Sequence, residues 1–407
     1  MTIQLSKANA QLSGSLQITG SKSESNRLLI LQALYPNLTI ENLSNSDDSK
    51  VMAQALSASS KLVDIHHAGT AMRFLTAYFA TNKGADKILT GSARMQQRPI
   101  EVLVKALREL GATIEYQHQE GYPPLLIKGS TLSRKQVALQ ATISSQYISA
   151  LMLIGASMPE GLTIDLVGKL TSVPYIQMTQ ELLNRIGINC AFKGNQIVIE
   201  PLEQIKDQTV TVESDWSSAS YFYALVALSD DGQVTLGSYR KQSLQGDSVL
   251  AEIYRDLGVT TTFEQDTITL RQQSHLRKEH LKINLRDAPD IAQTIAVSCL
   301  GLGLSCELTG LHTLKIKETD RLVALQQEIS KLGGAIEVTD DSLHLHKSPL
   351  LKENVSIATY QDHRMAMAFA PLAIKVPIAI EEAEVVSKSY PEFWNDLTHL
   401  GLEIKTL

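Results

Sequence analysis

The sequence predicts a mixed α/β (α+β) protein of six βαβ-type units in two lobes of three, with one unit shortened. Two observations predict it. The first is a recurring pattern of amphipathic helix, then Leu-Gly or Ile-Gly, then an alternating strand. Its copies are Leu103–Tyr116, Thr179–Phe192, Leu250–Phe263, Leu322–Val338 and Phe393–Lys405. Their glycines, Gly111, Gly187, Gly258, Gly333 and Gly401, stand 68–76 residues apart. Each falls where a helix ends on a left-handed residue before the chain turns into a strand. A period this long is too large for a small solenoid repeat and suits a βαβ-type subdomain. The second observation is a weaker copy at Val51–Ile65, which lacks the glycine. It lies about 50 residues before Gly111, so one unit is short by roughly 20 residues.

No Pro-rich or low-complexity linker marks a lobe boundary, so the boundary is read from the repeat. The third unit ends near Val210–Val212. The run Glu213-Ser214-Asp215-Trp216-Ser217-Ser218 then opens a helix, with Ser and Asp as capping candidates. One crossover is placed near 214 and the other near 20. Residues 21–214 form the N-terminal lobe, which holds the shortened unit. Residues 1–20 and 215–407 form the C-terminal lobe.

Composition narrows the function. The chain has 407 residues, 43% of them hydrophobic, and a formal net charge of −6. No global field attracts nucleic acid, so any anion site is local. The cysteines Cys190, Cys299 and Cys306 have neither metal nor redox spacing and read as small core residues. The N-terminal stretch lacks the apolar run of a signal peptide, and no segment is apolar enough to span a bilayer. A cytoplasmic globular protein without a membrane or nucleic-acid partner is expected.

Several short polar runs stand at predicted helix starts, each just before an apolar stretch. Gly20–Arg27 places Lys22, Ser23 and Arg27 where backbone N–H groups and the helix dipole favour an anion. The Walker spacing is absent, and a capped surface helix fits this run equally well. Ala68-Gly69-Thr70-Ala71-Met72-Arg73 repeats the logic, with Gly69 permitting close approach of a ligand. Arg98, before Pro99, offers a two-pronged fork for a carboxylate or phosphate. Ser144, Ser145 and Gln146 supply hydroxyls and an amide. Asp290 reads by default as an N-cap. Lys317-Glu318-Thr319-Asp320-Arg321 sets Lys317 and Glu318 in the loop leading into a core-facing helix, and Arg321 on its first turn. Asp362-His363-Arg364 opens another helix. Together Lys22, Arg27, Arg98, Lys317, Arg321, Arg364 and Lys388 could neutralise two phosphates and a carboxylate, with two lobes closing on the anion.

These runs resemble the 5-enolpyruvylshikimate-3-phosphate synthase family of enolpyruvyl transferases. The resemblance is carried by GSKSESNR at 20–27, AGTAMR at 68–73, RMQQRPI at 94–100, SSQY at 144–147 and SVPYI at 172–176. It continues through SSASYF at 217–222, PDIAQT at 289–294, KETDRL at 317–322, YQDHRMAM at 360–367 and KSYPEF at 388–393. It implies the two-lobed enolpyruvyl transferase fold, with three βαβαββ units per lobe. It also implies attack of the 5-hydroxyl of shikimate 3-phosphate on C2 of phosphoenolpyruvate, a tetrahedral intermediate, and loss of phosphate. No metal or organic cofactor is implied, and a monomer inhibited by glyphosate is expected.

By position, the resemblance implies that Ser23, Arg27, Ser144, Ser145, Gln146, Ser172, Tyr175, Asp290 and Lys317 hold shikimate 3-phosphate. Lys22, Gly69, Arg98, Arg321, Arg364 and Lys388 would hold phosphoenolpyruvate. Asp290 and Glu318 would exchange protons, with Lys22 at the reacting centre and His363 supporting Glu318. Three features depart from the family pattern: His67 in place of Asn, Phe74 in place of Pro, and the roughly 20 residues missing before Ala68, a hairpin by position. The sister enzyme acting on UDP-N-acetylglucosamine usually carries a cysteine in a mobile loop of the first lobe, and no cysteine here falls in such a place.

Overall fold

The computed structural model describes residues 1–7, 12–140, 145–168, 173–348 and 350–407. The chain forms two compact units, one of Met1–Thr19 with Glu213–Leu407 and the other of Gly20–Val212.

Five sheets share one plan: a parallel pair of strands beside an antiparallel hairpin. In one, Leu62–Asp64 and Asp86–Thr90 run parallel, and Leu125–Lys128 and Thr113–Tyr116 complete the sheet antiparallel. Among the described residues the sixth, in the Gly20–Val212 unit, is the parallel pair Gln208–Thr211 and Leu38–Glu41 alone. The residues missing from the shortened repeat are therefore those of its hairpin. Without it, the helix of the weak copy passes directly to Leu62–Asp64, the first strand of the next sheet. The helix and strand of Val51–Ile65 thus belong to two repeats, not one.

Two pairings join distant sequence. Ser13–Gln17 pairs with Gln233–Gly237, and Gln208–Thr211 with Leu38–Glu41. In the last sheet, Ile3–Lys7 lies between Ile378–Ile380 and Leu402–Thr406, filling the place that a hairpin strand holds elsewhere. The amino terminus thereby completes the final repeat.

In the unit of residues 20–212 the helices are α1 (Lys22–Leu34), α2 (Asp47–Ser57), α3 (Gly69–Thr81), α4 (Glu101–Leu110), α5 (Ser145–Gly155) and α6 (Val173–Arg185). The other unit has α7 (Trp216–Leu228), α8 (Leu250–Ile253), α9 (Ala292–Leu302), α10 (Arg321–Lys331), α11 (His363–Phe369) and α12 (Phe393–His399). α3, α5, α9 and α11 link the paired parallel strands of one sheet, whereas α1 and α7 follow the passage of the chain from one sheet to another. α3, α5, α7, α9 and α11 are buried almost all round, as their largely apolar composition demands. α1, α3 and α5 pack on one another, and α9 packs on both α7 and α11. The even-numbered helices lie outside. α4 buries one stripe, Leu103, Val104, Ala106, Leu107 and Leu110. The five repeat glycines all have positive φ, from 86° to 107°, so each turn from outer helix to hairpin uses a conformation that a Cβ would strain.

Candidate active site

Within each unit the inner helices pack together and gather their amino-terminal ends, where polar runs read from the sequence lie; Lys317–Arg321 leads into α10 and Arg98 precedes α4. In the Glu213–Leu407 unit the centre is Arg321, the first residue of α10, buried to 2%. Its Nε donates to Asp362 Oδ2 at 2.6 Å, Nη1 to Asp290 Oδ1 at 3.0 Å and Nη2 to Glu318 Oε2 at 3.0 Å. Burial works against its charge, but Asp362, Glu318 and Asp290 more than offset it and hold the guanidinium protonated. A planar fork with five donors, set in fixed directions, serves three carboxylates at once.

Asp290 does not cap α9. It sits in the one-turn 3₁₀ helix Pro289–Ile291, and the helix cap is Ile291, with no side-chain hydrogen bond. The carboxylate is engaged by cations instead. Arg321 and Lys317 approach Oδ1, Lys317 Nζ at 3.4 Å, and Arg364 Nη2 approaches Oδ2 at 3.3 Å. Burial alone would raise its pKa, but Arg364, Lys317 and Arg321 outweigh burial and hold it well below the usual carboxylate range.

Glu318 lies between two cations, with Arg321 on Oε2 and Lys388 Nζ on Oε1 at 3.0 Å. Asp362 caps α11 by accepting from the Arg364 backbone N–H at 2.9 Å. His363 is buried beside it, its Nδ1 3.7 Å from Asp362 Oδ1. The four cations Lys317, Arg321, Arg364 and Lys388 thus face the carboxylates of Asp290, Glu318 and Asp362.

Two further members were not among the expected site residues: Ser217, which opens the SSASYF run, and Asp247, which belongs to no run. The Ser217 hydroxyl donates to Asp247 Oδ2 and accepts from Arg364 Nη2 at 3.3 Å. Asp247 is buried in the turn Gly246–Val249. Burial and then the nearby Asp290 charge push its carboxyl up to about 7, against the opposing pull of Arg364 and the Ser217 hydrogen bond. A lone Asp after Gln-Gly gives no local signal of this; only the fold brings it to α11.

The Gly20–Val212 unit holds a second group. Ser21 caps α1 through the Glu24 N–H, and Lys22 Nζ lies 3.4 Å from Asp48 Oδ2. Arg27 is buried within protein contacts. It donates to Thr179 Oγ1, to the carbonyls of Ser23 and Tyr175, and to Ser149 Oγ, at 2.8–3.3 Å. The rings of Phe74 and Tyr175 lie 5.4 and 5.8 Å from its Cζ. Burial lowers its pKa to about 10, with Tyr175 and Glu24 partly offsetting the shift. Through these bonds Arg27 ties α1 to α5 and α6.

Arg98 differs. It forms no carboxylate ion pair among the described residues, and its guanidinium lies against Gly69, where a Cβ would stand 2.4 Å from Nη1. Arg73, the neighbouring arginine, is buried and donates to the Gly69 and Pro99 carbonyls. Gln146 Nε2 donates to Thr70 Oγ1 at 3.3 Å, and Ser145 is buried at the start of α5. Ser144 and Ser172 lie outside the described residues. His67 is exposed and Phe74 fully buried.

Four cations clustered around three carboxylates, on repeated βαβαββ units, define a class: a group-transfer enzyme that handles anionic substrates and moves protons. The sequence profile of the family described as EPSP synthase (3-phosphoshikimate 1-carboxyvinyltransferase) matches residues 56–397. A 3-phosphoshikimate 1-carboxyvinyltransferase of Bacteroides fragilis (strain YCH46) is 45% identical over 405 residues, covering 98% of each chain. That of Haemophilus influenzae (strain KW20) is 34% identical, covering 96% of this chain and 97% of its own. The solved EPSP synthase of Acinetobacter baumannii superposes with a TM-score of 0.80 at 21% identity, over 100% of both chains, and supports the fold. This chain belongs to the EPSP synthase family.

Proposed function

We propose that this enzyme transfers the enolpyruvyl group of phosphoenolpyruvate to the 5-hydroxyl of shikimate 3-phosphate and releases phosphate, a step of aromatic amino-acid biosynthesis. The observation that carries the reading is the placement of Glu318 between Arg321 and Lys388, beside an Asp290 held ionised by Lys317, Arg321 and Arg364. In the resting protein these cations are engaged by carboxylates. Phosphoenolpyruvate brings its own phosphate and carboxylate, which compete for Arg321, Arg364 and Lys388. Drawing Arg321 and Lys388 to the substrate leaves Glu318 freer to exchange a proton. The anion thus prepares the acid–base group it needs.

Glu318 protonates the methylene carbon of phosphoenolpyruvate as the 5-hydroxyl adds to C2. Asp290, ionised and next to Lys317, orients that hydroxyl and accepts its proton, which leaves with the phosphate in the second step. In the second step the C2–O bond to phosphate breaks, and Glu318 takes back a proton from the methyl group. Lys22 stabilises the departing phosphate, and Arg98 and the Gly69 backbone receive phosphoenolpyruvate. Ser23, Arg27, Ser144, Ser145, Gln146, Ser172 and Tyr175 hold shikimate 3-phosphate, and His363 supports Glu318. Arg27 contributes mainly by fixing the backbone of Ser23 and Tyr175. No described helix is long and apolar enough to cross a membrane, and the proposed setting is a cytoplasmic monomer.

Phosphate release measured with each substrate alone and with both tests the activity. Release is expected only with shikimate 3-phosphate and phosphoenolpyruvate together. Turnover with UDP-N-acetylglucosamine in place of shikimate 3-phosphate would overturn the reading in favour of the sister enzyme.

A further inference from the structure

The geometry points to Asp247 as a positioning residue for phosphoenolpyruvate: through the Ser217 hydroxyl it holds the Arg364 guanidinium in the orientation that also grips Asp290. The inference rests on the proposed role of Arg364 as a ligand of phosphoenolpyruvate. Arg364 Nη2 donates both to Ser217 Oγ and to Asp290 Oδ2, each at 3.3 Å, and Nη1 donates to the Asp290 carbonyl at 3.3 Å. The Ser217 hydrogen is then free to point at Asp247 Oδ2. The polarity runs one way, from guanidinium N–H to hydroxyl oxygen and from hydroxyl O–H to carboxylate, so each bond strengthens the next. Four separate segments meet in this chain: the Gly246–Val249 turn, the start of α7, the turn before α9 and the start of α11.

Asp247 is faced by Asp290, Arg364 and Asp215, with Ser217 in contact. Two carboxylates, Asp247 and Asp290, therefore share Arg364, and the balance between them changes when an anion engages that cation. With the negative charge of phosphoenolpyruvate added at an Arg364 still held by Ser217, less of the guanidinium charge compensates Asp247, and Asp247 takes up a proton near neutral pH. A side chain that only filled space would show no such response.

The test compares wild type, Asp247→Asn, Ser217→Ala and the double variant. The readouts are steady-state kinetics, calorimetric binding of phosphoenolpyruvate in two buffers of different ionisation enthalpy, and thermal melts. Each single variant is expected to raise KM for phosphoenolpyruvate about tenfold, the scale of one hydrogen bond to a charged group. KM for shikimate 3-phosphate should stay within about twofold, and the double variant should be no worse than the worse single one. Proton uptake on binding should vanish in Asp247→Asn. An unchanged phosphoenolpyruvate KM in Asp247→Asn, or effects that multiply in the double variant, would overturn the assignment. Should Asp247→Asn fail to fold, Ser217→Ala, which removes one oxygen, decides by the same comparison. A wild type with no turnover would sink the transferase reading, and the calorimetric affinities would still decide the Asp247–Arg364 link.

Discussion

The ring of Phe74 lies beneath the guanidinium of Arg27, 5.4 Å from Cζ to centroid, with both side chains buried. Phe74 stands where the family usually has Pro, on the first turns of α3. From the sequence alone, its bulk is expected to press on the Gly69-Thr70 backbone. The structure instead directs the ring at Arg27, so its influence passes to the residue that fixes Ser23 and Tyr175. A desolvated cation–π contact is worth about 2 kcal/mol. Phe74→Leu keeps an apolar side chain and removes the π face. It should raise KM for shikimate 3-phosphate several-fold and leave that for phosphoenolpyruvate within about twofold. Steady-state kinetics with each substrate varied in turn checks this, and the reverse split would place Phe74 with phosphoenolpyruvate.

Glu318→Gln preserves shape and removes proton transfer. Turnover should fall by about 10²–10⁴-fold, the usual scale of a general acid–base group. Affinity for phosphoenolpyruvate should hold or tighten, because Arg321 and Lys388 lose the carboxylate that competes with it. Rapid-quench turnover with calorimetric binding separates the two effects. A variant that turns over normally would remove Glu318 from the chemistry.

The legible part of the molecule was the part written locally. Gly111, Gly187, Gly258, Gly333 and Gly401 mark the turns because a positive φ selects glycine at each one. Lys317, Glu318 and Arg321 were visible because one helix start carries all three. What stayed hidden depends on long-range pairing. Nothing in Ile3–Lys7 announces that it closes a sheet with Leu402–Thr406. Asp290 looked like a cap because its competition with three cations comes from segments far along the chain. Arg27 looked like a free cation because Ser149 and Thr179, which occupy it, sit on other helices. Asp247 had no motif at all.

Asp247 and Asp290 have opposite effects on stability as pH changes. The Asp247 carboxyl is raised from 3.8 to about 7 in the folded state, so between those values the unfolded chain ionises first. Its protonated form favours folding; that contribution is complete below about pH 4 and is lost as pH rises to about 7. Asp290 is depressed, so its contribution is present above the ordinary carboxylate range and is lost only on further acidification. Asp247→Asn should therefore gain stability relative to wild type as pH rises from about 4 to about 7, with no further gain above. Urea unfolding at several pH values checks the sign. A variant that loses stability at pH 8 would show that the charged form of Asp247 helps hold the fold.

Glyphosate should inhibit in competition with phosphoenolpyruvate, since its phosphonate and carboxylate suit the cations assigned to that substrate. Gly69 bears on this through Arg98. A methyl at position 69 would stand 2.4 Å from Arg98 Nη1 and 3.1 Å from Cζ. Those atoms are the far end of a flexible side chain, so the fold can accommodate Gly69→Ala by moving the guanidinium. The moved guanidinium then narrows the space beside α3. Because the inhibitor is longer than the substrate, it should lose more from that narrowing. The variant should raise the inhibition constant by a larger factor than it raises KM for phosphoenolpyruvate, with melting temperature little changed. Arg98→Ala supplies the control: with no guanidinium to displace, adding Gly69→Ala should change inhibition far less than it does in the wild type. Inhibition kinetics on the four proteins decide the matter. An equal effect of Gly69→Ala with and without Arg98 would mean that the methyl meets the ligand directly, and a resistant wild type would shift the cause to His67 or Phe74.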